Sequence, residues 1–242
     1  MKVALISPFS LMREIPNTKY HLVLAHLLQD QDYLDFYREV EGYKILDNGA
    51  AEGSLVDNEE LIEMAYKIKA DEIIIPDSMG NYKETKILTK NFKSTAKANK
   101  RFKYTAVLQG STMGEISQSY LDTSAIKWVD NIALPRFMQH IDKNERIWWA
   151  STIKNNFKSS REIHCLGATS WTAEIGALAS QNCARGLDTS MPIVLGLAGI
   201  RLSESTDYVP RAMDYFHIEA SNEQKEVIYD NINTYLNWAK AS

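Results

Sequence analysis

The strongest constraint on this chain is a set of short apolar runs at residues 43–47 (YKILD), 72–77 (EIIIPD), 104–109 (YTAVLQ), 129–134 (VDNIAL) and 185–188 (RGLD). Four of them stop on Asp or Gln. Residues 3–7 and 162–166 read as two further strands, and the stretches between carry the spacing of amphipathic helices. Strands alternating with helices build a parallel sheet. A strand–helix unit of about 25 to 30 residues, repeated along 242 residues, predicts one α/β domain, a (β/α)8 barrel of the TIM type. An open doubly wound sheet is the alternative, although neither the Rossmann glycine fingerprint nor a P-loop is present.

The helical segments are read as follows. From Lys19 onward, Leu22, Ala25 and Leu28 share a face that Tyr33, Phe36 and Tyr37 continue. Asp57 is placed to cap a helix with Leu61, Ile62, Ala65 and Ile68 on one stripe and Glu60 at the capping-box position. Further helices are predicted near residues 82–99, 113–122, 143–154 and 169–180. The segment IVLGLAGI after Pro192 reads as an eighth strand and loop, or as a loop beneath the site, because its glycines weigh against a helix. Residues 222–240 form an amphipathic helix with Val227, Ile228, Ile232, Tyr235, Leu236 and Ala239 on one side, placed to close the barrel or to meet a second subunit.

Composition narrows the function. Hydrophobic residues make up 45% and charged residues 24%, which suits a folded chain with a large core. A net charge of −4 argues against unspecific adhesion to a nucleic-acid backbone. The start, MKVALISPFS, holds a four-residue apolar run, too short for a secretory signal. With no apolar stretch of about 18 residues, a cytoplasmic location without membrane attachment is expected. Cys165 and Cys183 show no metal-ligand spacing and read as core residues, and the five histidines form no metal pattern, so neither a metal nor a cofactor is expected.

In alternating folds the carboxyl ends of successive strands converge on one face, where active sites lie. Asp47, Asp77, Gln109 and Asp188 are therefore expected to be neighbours, suited to acid, base and nucleophile chemistry on a hydrogen-bonding substrate. The bland alternative is that each only caps the next helix or fixes a turn. Lys83, Lys86, Lys90, Lys93, Lys97 and Lys100 line one helix face, read as a solvated outer side above inward-packing Ile87 and Leu88. Trp148, Trp149 and Trp171 read as core, with stacking on flipped bases as the alternative.

The order Asp-x-Gly, Pro-Asp, Val-x-Gln-Gly, Leu-Gly and Gly-x-Asp-x-x-x-Pro, between Leu46 and Pro192, resembles the tRNA-guanine transglycosylase superfamily. In that family a barrel enzyme exchanges guanine in nucleic acid for a 7-deazaguanine. The resemblance implies that Asp188 is the nucleophile and Asp47 the general acid/base. It implies that Asp77 reads the Watson–Crick edge of the base and that Gln109 bonds its carbonyl. Ala133 and Leu134 stand where a backbone turn touches the base, Leu166 is an apolar wall, and Asn48 and Gly110 belong to the same base site. The family's stacking aromatic corresponds to Ala51, and its zinc subdomain and Arg-rich segment are missing.

A short, zinc-free barrel is similar to the phage type that places 7-deazaguanines in DNA. The resemblance thus implies base exchange in DNA with a base such as 7-cyano-7-deazaguanine, and the sequence leaves open whether a partner protein delivers the strand. The same chemistry on tRNA, a non-catalytic nucleic-acid-binding subunit, and a hydrolase that releases base without exchange are the alternatives.

Overall fold

The computed structural model describes residues 1–168, 172–203 and 209–240. Eight parallel strands form one sheet in the order β1-β8-β7-β6-β5-β4-β3-β2, so that β1 and β2 meet at the seam of a nearly closed barrel. The strands are β1 (Lys2–Leu5), β2 (Tyr20–Leu24), β3 (Tyr43–Asp47), β4 (Glu72–Ile74), β5 (Lys103–Val107), β6 (Asn131–Pro135), β7 (Ile163–Leu166) and β8 (Gly186–Thr189). Around them lie the helices α1 (Gln31–Glu39), α2 (Asn58–Lys67), α3 (Tyr82–Ala98), α4 (Met113–Ser124), α5 (Glu145–Ser151), α6 (Thr172–Ser180), α7 (Met191–Leu197) and α8 (Asn222–Lys240). This is the expected (β/α)8 architecture. No described helix is long and apolar enough to cross a membrane.

Two expectations about the path of the chain are overturned. Residues 20–24 are not the start of a helix but strand β2, paired in parallel with β3 from Tyr20 opposite Tyr43 to Leu24 opposite Asp47. The spacing of Leu22, Ala25 and Leu28 is compatible with a helix, but the side chains alternate between barrel interior and helix layer as strand residues do. Ala25–Gln29 form a 3-10 turn and only residues 31–39 are α-helical, capped by Asp30, which accepts from the Tyr33 N–H at 3.1 Å. The segment after Ser190 is helix α7 rather than an eighth strand. Gly196 is there for packing, since a Cβ on it would lie 2.4 Å from Ile228 Cγ1 and 2.8 Å from the Ile228 backbone. Helix α8 crosses at that point, burying Ile228, Ile232, Tyr235 and Ala239 as expected. It also buries Asn231, whose amide donates to the carbonyls of Pro192 and Ile200.

Helix α3 faces inward through Thr85, Thr89, Phe92 and Ala96. Ile87 is 60% exposed and lies on the solvent side with the lysines, contrary to the expected inward packing. Cys165 and Cys183 are buried and free, as a core reading requires. Trp149 is buried and Trp148 half exposed, and they meet edge to face at 5.0 Å. Trp171 lies outside the described residues.

Strand register divides the interior into levels. Val107, Ala133, His164 and Gly186 are register partners across β5, β6, β7 and β8. Thr105 and Asn131 lie one level lower and Pro135 and Leu166 one level higher. At the bottom is Glu72, fully buried. It takes two bonds from Arg185 at 2.8 and 2.9 Å, one from Tyr43 at 2.6 Å, one from Asn131 at 2.9 Å and one from Thr105. Burial raises the Glu72 carboxyl, but these bonds and the Arg185 charge outweigh it and hold the group below its ordinary value. A buried carboxylate is tolerated when it is paired and fully hydrogen-bonded.

Candidate active site

At the carboxyl ends of the strands is a cavity of about 530 Å³. Asp47, Asn48, Asp77, Gln109, Leu166 and Asp188 all line it. Separate strand ends supply these groups, so the convergence expected from the sequence is met. The capping half of the bland reading fails, whereas the turn half holds for Asp47, which accepts from the Gly49 N–H two residues on. The helices that follow β3, β4 and β5 are capped by Asp57, Asn81 and Thr112, each accepting a backbone N–H. Asp47, Asp77 and Gln109 cap none of them.

Asp77 is the centre of a rigid acceptor. Asn48 Nδ2 donates to its Oδ1 at 2.7 Å, and Gln109 Nε2 donates to its Oδ2 at 2.6 Å. Both amides are oriented by backbone N–H groups at their oxygen ends, Ala50 to Asn48 at 2.8 Å and Gly80 to Gln109 at 2.9 Å. Burial pushes the Asp77 carboxyl up, and the two amide bonds oppose that rise.

Asp47 ends β3 and accepts from the Gly49 N–H at 3.1 Å. The Asp-x-Gly motif has a steric reason. Gly49 has φ +79°, and a Cβ there would meet the Ser54 carbonyl oxygen at 2.4 Å.

Asp188 lies across the cavity in β8. Its Oδ1 contacts His164 Nε2 at 3.1 Å, and the Gly167 N–H reaches both carboxylate oxygens at 3.1 Å. The Ala168 N–H donates to the Asp188 carbonyl at 2.7 Å, so the turn after β7 is fastened to β8. Gly167 makes this turn with φ +64°. Arg146, fully buried, braces the turn from outside by donating to the Leu166 carbonyl at 2.6 Å.

Three expected base-site residues do not line the cavity. Ala133 points inward but sits one level below Pro135, which takes the lining position. Leu134 alternates to the opposite face of β6 and is buried in the helix layer. Gly110 is buried where α4 begins: a Cβ on it would lie 2.7 Å from Glu115 Cβ and 2.9 Å from the Ile116 nitrogen. Its smallness serves helix packing.

Sequence reasoning missed His164, which contacts Asp188 from beneath the cavity, and the lining residues Gly167, Met79, Arg136, Phe137, His140 and Arg211. Phe137 packs over Gly80, where an added Cβ would touch the ring at 3.1 Å, and it brings an aromatic ring to the cavity that Ala51 lacks. The two tryptophans at 148 and 149 are not in the lining. Among the described residues no cluster of His, Cys, Asp or Glu is arranged to hold a metal ion.

No protein-family model matches the chain, and no curated protein is significantly similar to it.

Proposed function

We propose that the cavity exchanges guanine in DNA for a 7-deazaguanine such as 7-cyano-7-deazaguanine, through a covalent bond to Asp188. The observation that carries this reading is the placement of the Asn48–Asp77–Gln109 cluster and Asp188 in one cavity. The cluster suits a base edge and the separate carboxylate suits a sugar. Asp77 accepts from the N1–H and exocyclic amine of guanine, and the second N–H of Gln109 is the donor for O6. Leu166 supplies an apolar wall. A cavity of this size takes a base with its sugar, so the target nucleotide leaves the helix stack before reacting, at a few kcal/mol.

The chemistry follows the logic of two carboxylates. An Asp188 oxygen bonds to C1′ as the C1′–N9 bond breaks, and the electron pair of that bond leaves with guanine. Asp47 delivers a proton to the departing base. It then takes the N9 proton of the incoming base, whose nitrogen displaces Asp188 and restores its carboxylate. The bond made resembles the bond broken, so the exchange needs no external energy source. Retaining hydrolysis would use the same two acids, and the resemblance to the phage-type barrels favours exchange on DNA over tRNA.

The test is nucleoside mass spectrometry of duplex DNA and of tRNA after incubation with the protein and 7-cyano-7-deazaguanine, beside Asp188→Asn. Deazaguanosine in DNA alone, and only with Asp188 intact, is the expected result. Incorporation only into tRNA would move the reading to the RNA substrate. Guanine release without incorporation would make the protein a hydrolase, and an inert protein would make it a binding module.

A further inference from the structure

Below Asp188 the hydrogen bonds run through the barrel interior in one line. Arg185 Nε donates to Tyr20 Oη at 3.1 Å, Tyr20 Oη meets His164 Nδ1 at 2.8 Å, and His164 Nε2 meets Asp188 Oδ1 at 3.1 Å. Tyr20 and His164 are 1% and 0% exposed, so the middle of the line is shielded from bulk water. The two ends fix the direction. A guanidinium only donates, and an ionised carboxylate only accepts. In the neutral form of His164 this places the ring proton on Nε2 and leaves Nδ1 to accept the Tyr20 hydroxyl proton.

We infer that His164 is a positioning residue for Asp188, donating Nε2–H to Oδ1 and leaving Oδ2 as the oxygen that attacks the sugar. The inference rests on the reading of Asp188 as nucleophile. Gly167 reaches both carboxylate oxygens at the same distance and does not distinguish them. His164 does. When Oδ2 bonds to C1′, Oδ1 becomes the ester carbonyl and keeps its bond to His164, and no proton moves along the line. When the incoming base displaces Oδ2, the carboxylate returns in its original orientation.

The line has been given room at one residue. A Cβ on Gly186 would lie 2.6 Å from Tyr20 Cε1 and 2.9 Å from its hydroxyl oxygen. Any larger residue there would push Tyr20 away from His164. Arg185 is held in turn by its two bonds to Glu72.

Two measurements test the inference. Nitrogen-15 NMR of the histidine rings in the substrate-free protein reads the tautomer directly, with His164→Gln assigning the signal. The expected spectrum has the proton on Nε2. A proton on Nδ1, or on both nitrogens at neutral pH, would overturn the inference. In labelled-guanine exchange, His164→Leu is expected to lower kcat about tenfold to 100-fold with KM for the base unchanged, the worth of a hydrogen bond to a charged group. His164→Gln, which can place an amide N–H near the same oxygen, is expected to recover part of that loss. An undiminished kcat in folded His164→Leu would refute the role. Should that variant not fold, Tyr20→Phe takes its place, with a smaller expected fall in kcat. If the intact protein exchanges no base at all, the proposed function fails, and the tautomer still decides whether His164 donates to Asp188.

Discussion

The ion pair between Arg146 on α5 and Glu174 on α6 offers the most quantitative test of how the site is braced. Both residues are fully buried. Nε and Nη2 of Arg146 donate to the two Glu174 oxygens at 2.6 and 2.7 Å, and Nη1 donates to the Leu166 carbonyl at 2.6 Å. Burial alone would lower the guanidinium, but the Glu174 charge outweighs it and holds Arg146 above its ordinary range. Glu174→Gln keeps the shape and removes the counter-charge, leaving a buried cation unpaired. That costs about 3 to 5 kcal/mol. For a chain of this length each kcal/mol moves Tm by about 2 to 4 °C, so the expected fall is about 6 to 20 °C.

The double variant Arg146→Met, Glu174→Leu behaves differently. Replacing a whole buried pair with apolar groups is often neutral or stabilising by about 1 to 4 kcal/mol. Against this, the Leu166 carbonyl loses its donor, at about 1 to 3 kcal/mol. The double variant is therefore expected near wild-type stability and well above the single one, by urea and thermal unfolding. Its base exchange should still be impaired, because the turn that carries Gly167 has lost its brace. A Glu174→Gln protein destabilised by less than about 1 kcal/mol would mean that the pair is solvated, and the reasoning would be wrong.

Other outcomes follow from single groups. Gly167→Ala forces a side chain into left-handed backbone with no clash, since Arg136 Cβ is 3.5 Å away; a loss of about 1 to 2 kcal/mol is expected in thermal melts, with slower exchange. An unshifted melt would show that the turn relaxes freely. The raised Asp77 value gives opposite pH trends. Its contribution to stability is full below the ordinary value of 3.8 and is lost as pH rises through the folded value, whereas base affinity is lost as pH falls through that same folded value. Calorimetric titration of the base from pH 7 to 4 reads the second trend, and affinity independent of pH would remove Asp77 from the base site. Reversing Lys90, Lys93 and Lys97 to Glu is expected to change stability by less than about 0.5 kcal/mol and leave exchange intact; a salt-sensitive loss of DNA affinity would make that face part of the substrate path.

Legibility in the sequence follows the strength of local signals. The strand end at Asp47, the place of Asp188 one residue before the end of β8 and the cap at Asp57 each rest on a residue type beside an apolar run, and the fold keeps them close to where that pattern puts them. Strand β2 is hidden because five residues satisfy a period of two and a period near 3.6 equally well. Helix α7 is hidden for the opposite reason. From Met191 to Gly196 every residue is buried, so there is no polar face to reveal a period. His164 is a lone polar residue in an apolar strand, and its partners Tyr20 and Asp188 are 144 and 24 residues away in the chain. Nothing local announces such a contact. The outward turn of Leu134, by contrast, is legible, since strand alternation from Asn131 already directs it away from the interior.

The charges at the base of the barrel explain why a line ending in Arg185 need not weaken Asp188 in the nucleophilic role proposed for it. A bare guanidinium aimed at Asp188 would stabilise its carboxylate and reduce its tendency to give up an electron pair. Arg185 is instead bound by Glu72 through both terminal nitrogens and by Glu162 at 3.1 Å, so its charge is met before it reaches the upper levels. What passes upward through Tyr20 and His164 is the direction of two hydrogen bonds, with little net charge. That separation accounts for a costly buried acid at the lower end of the barrel, outside the cavity lining. Glu72 keeps Arg185 in place and offsets its charge, Arg185 fixes the hydroxyl of Tyr20, and the orientation of the Asp188 carboxylate follows.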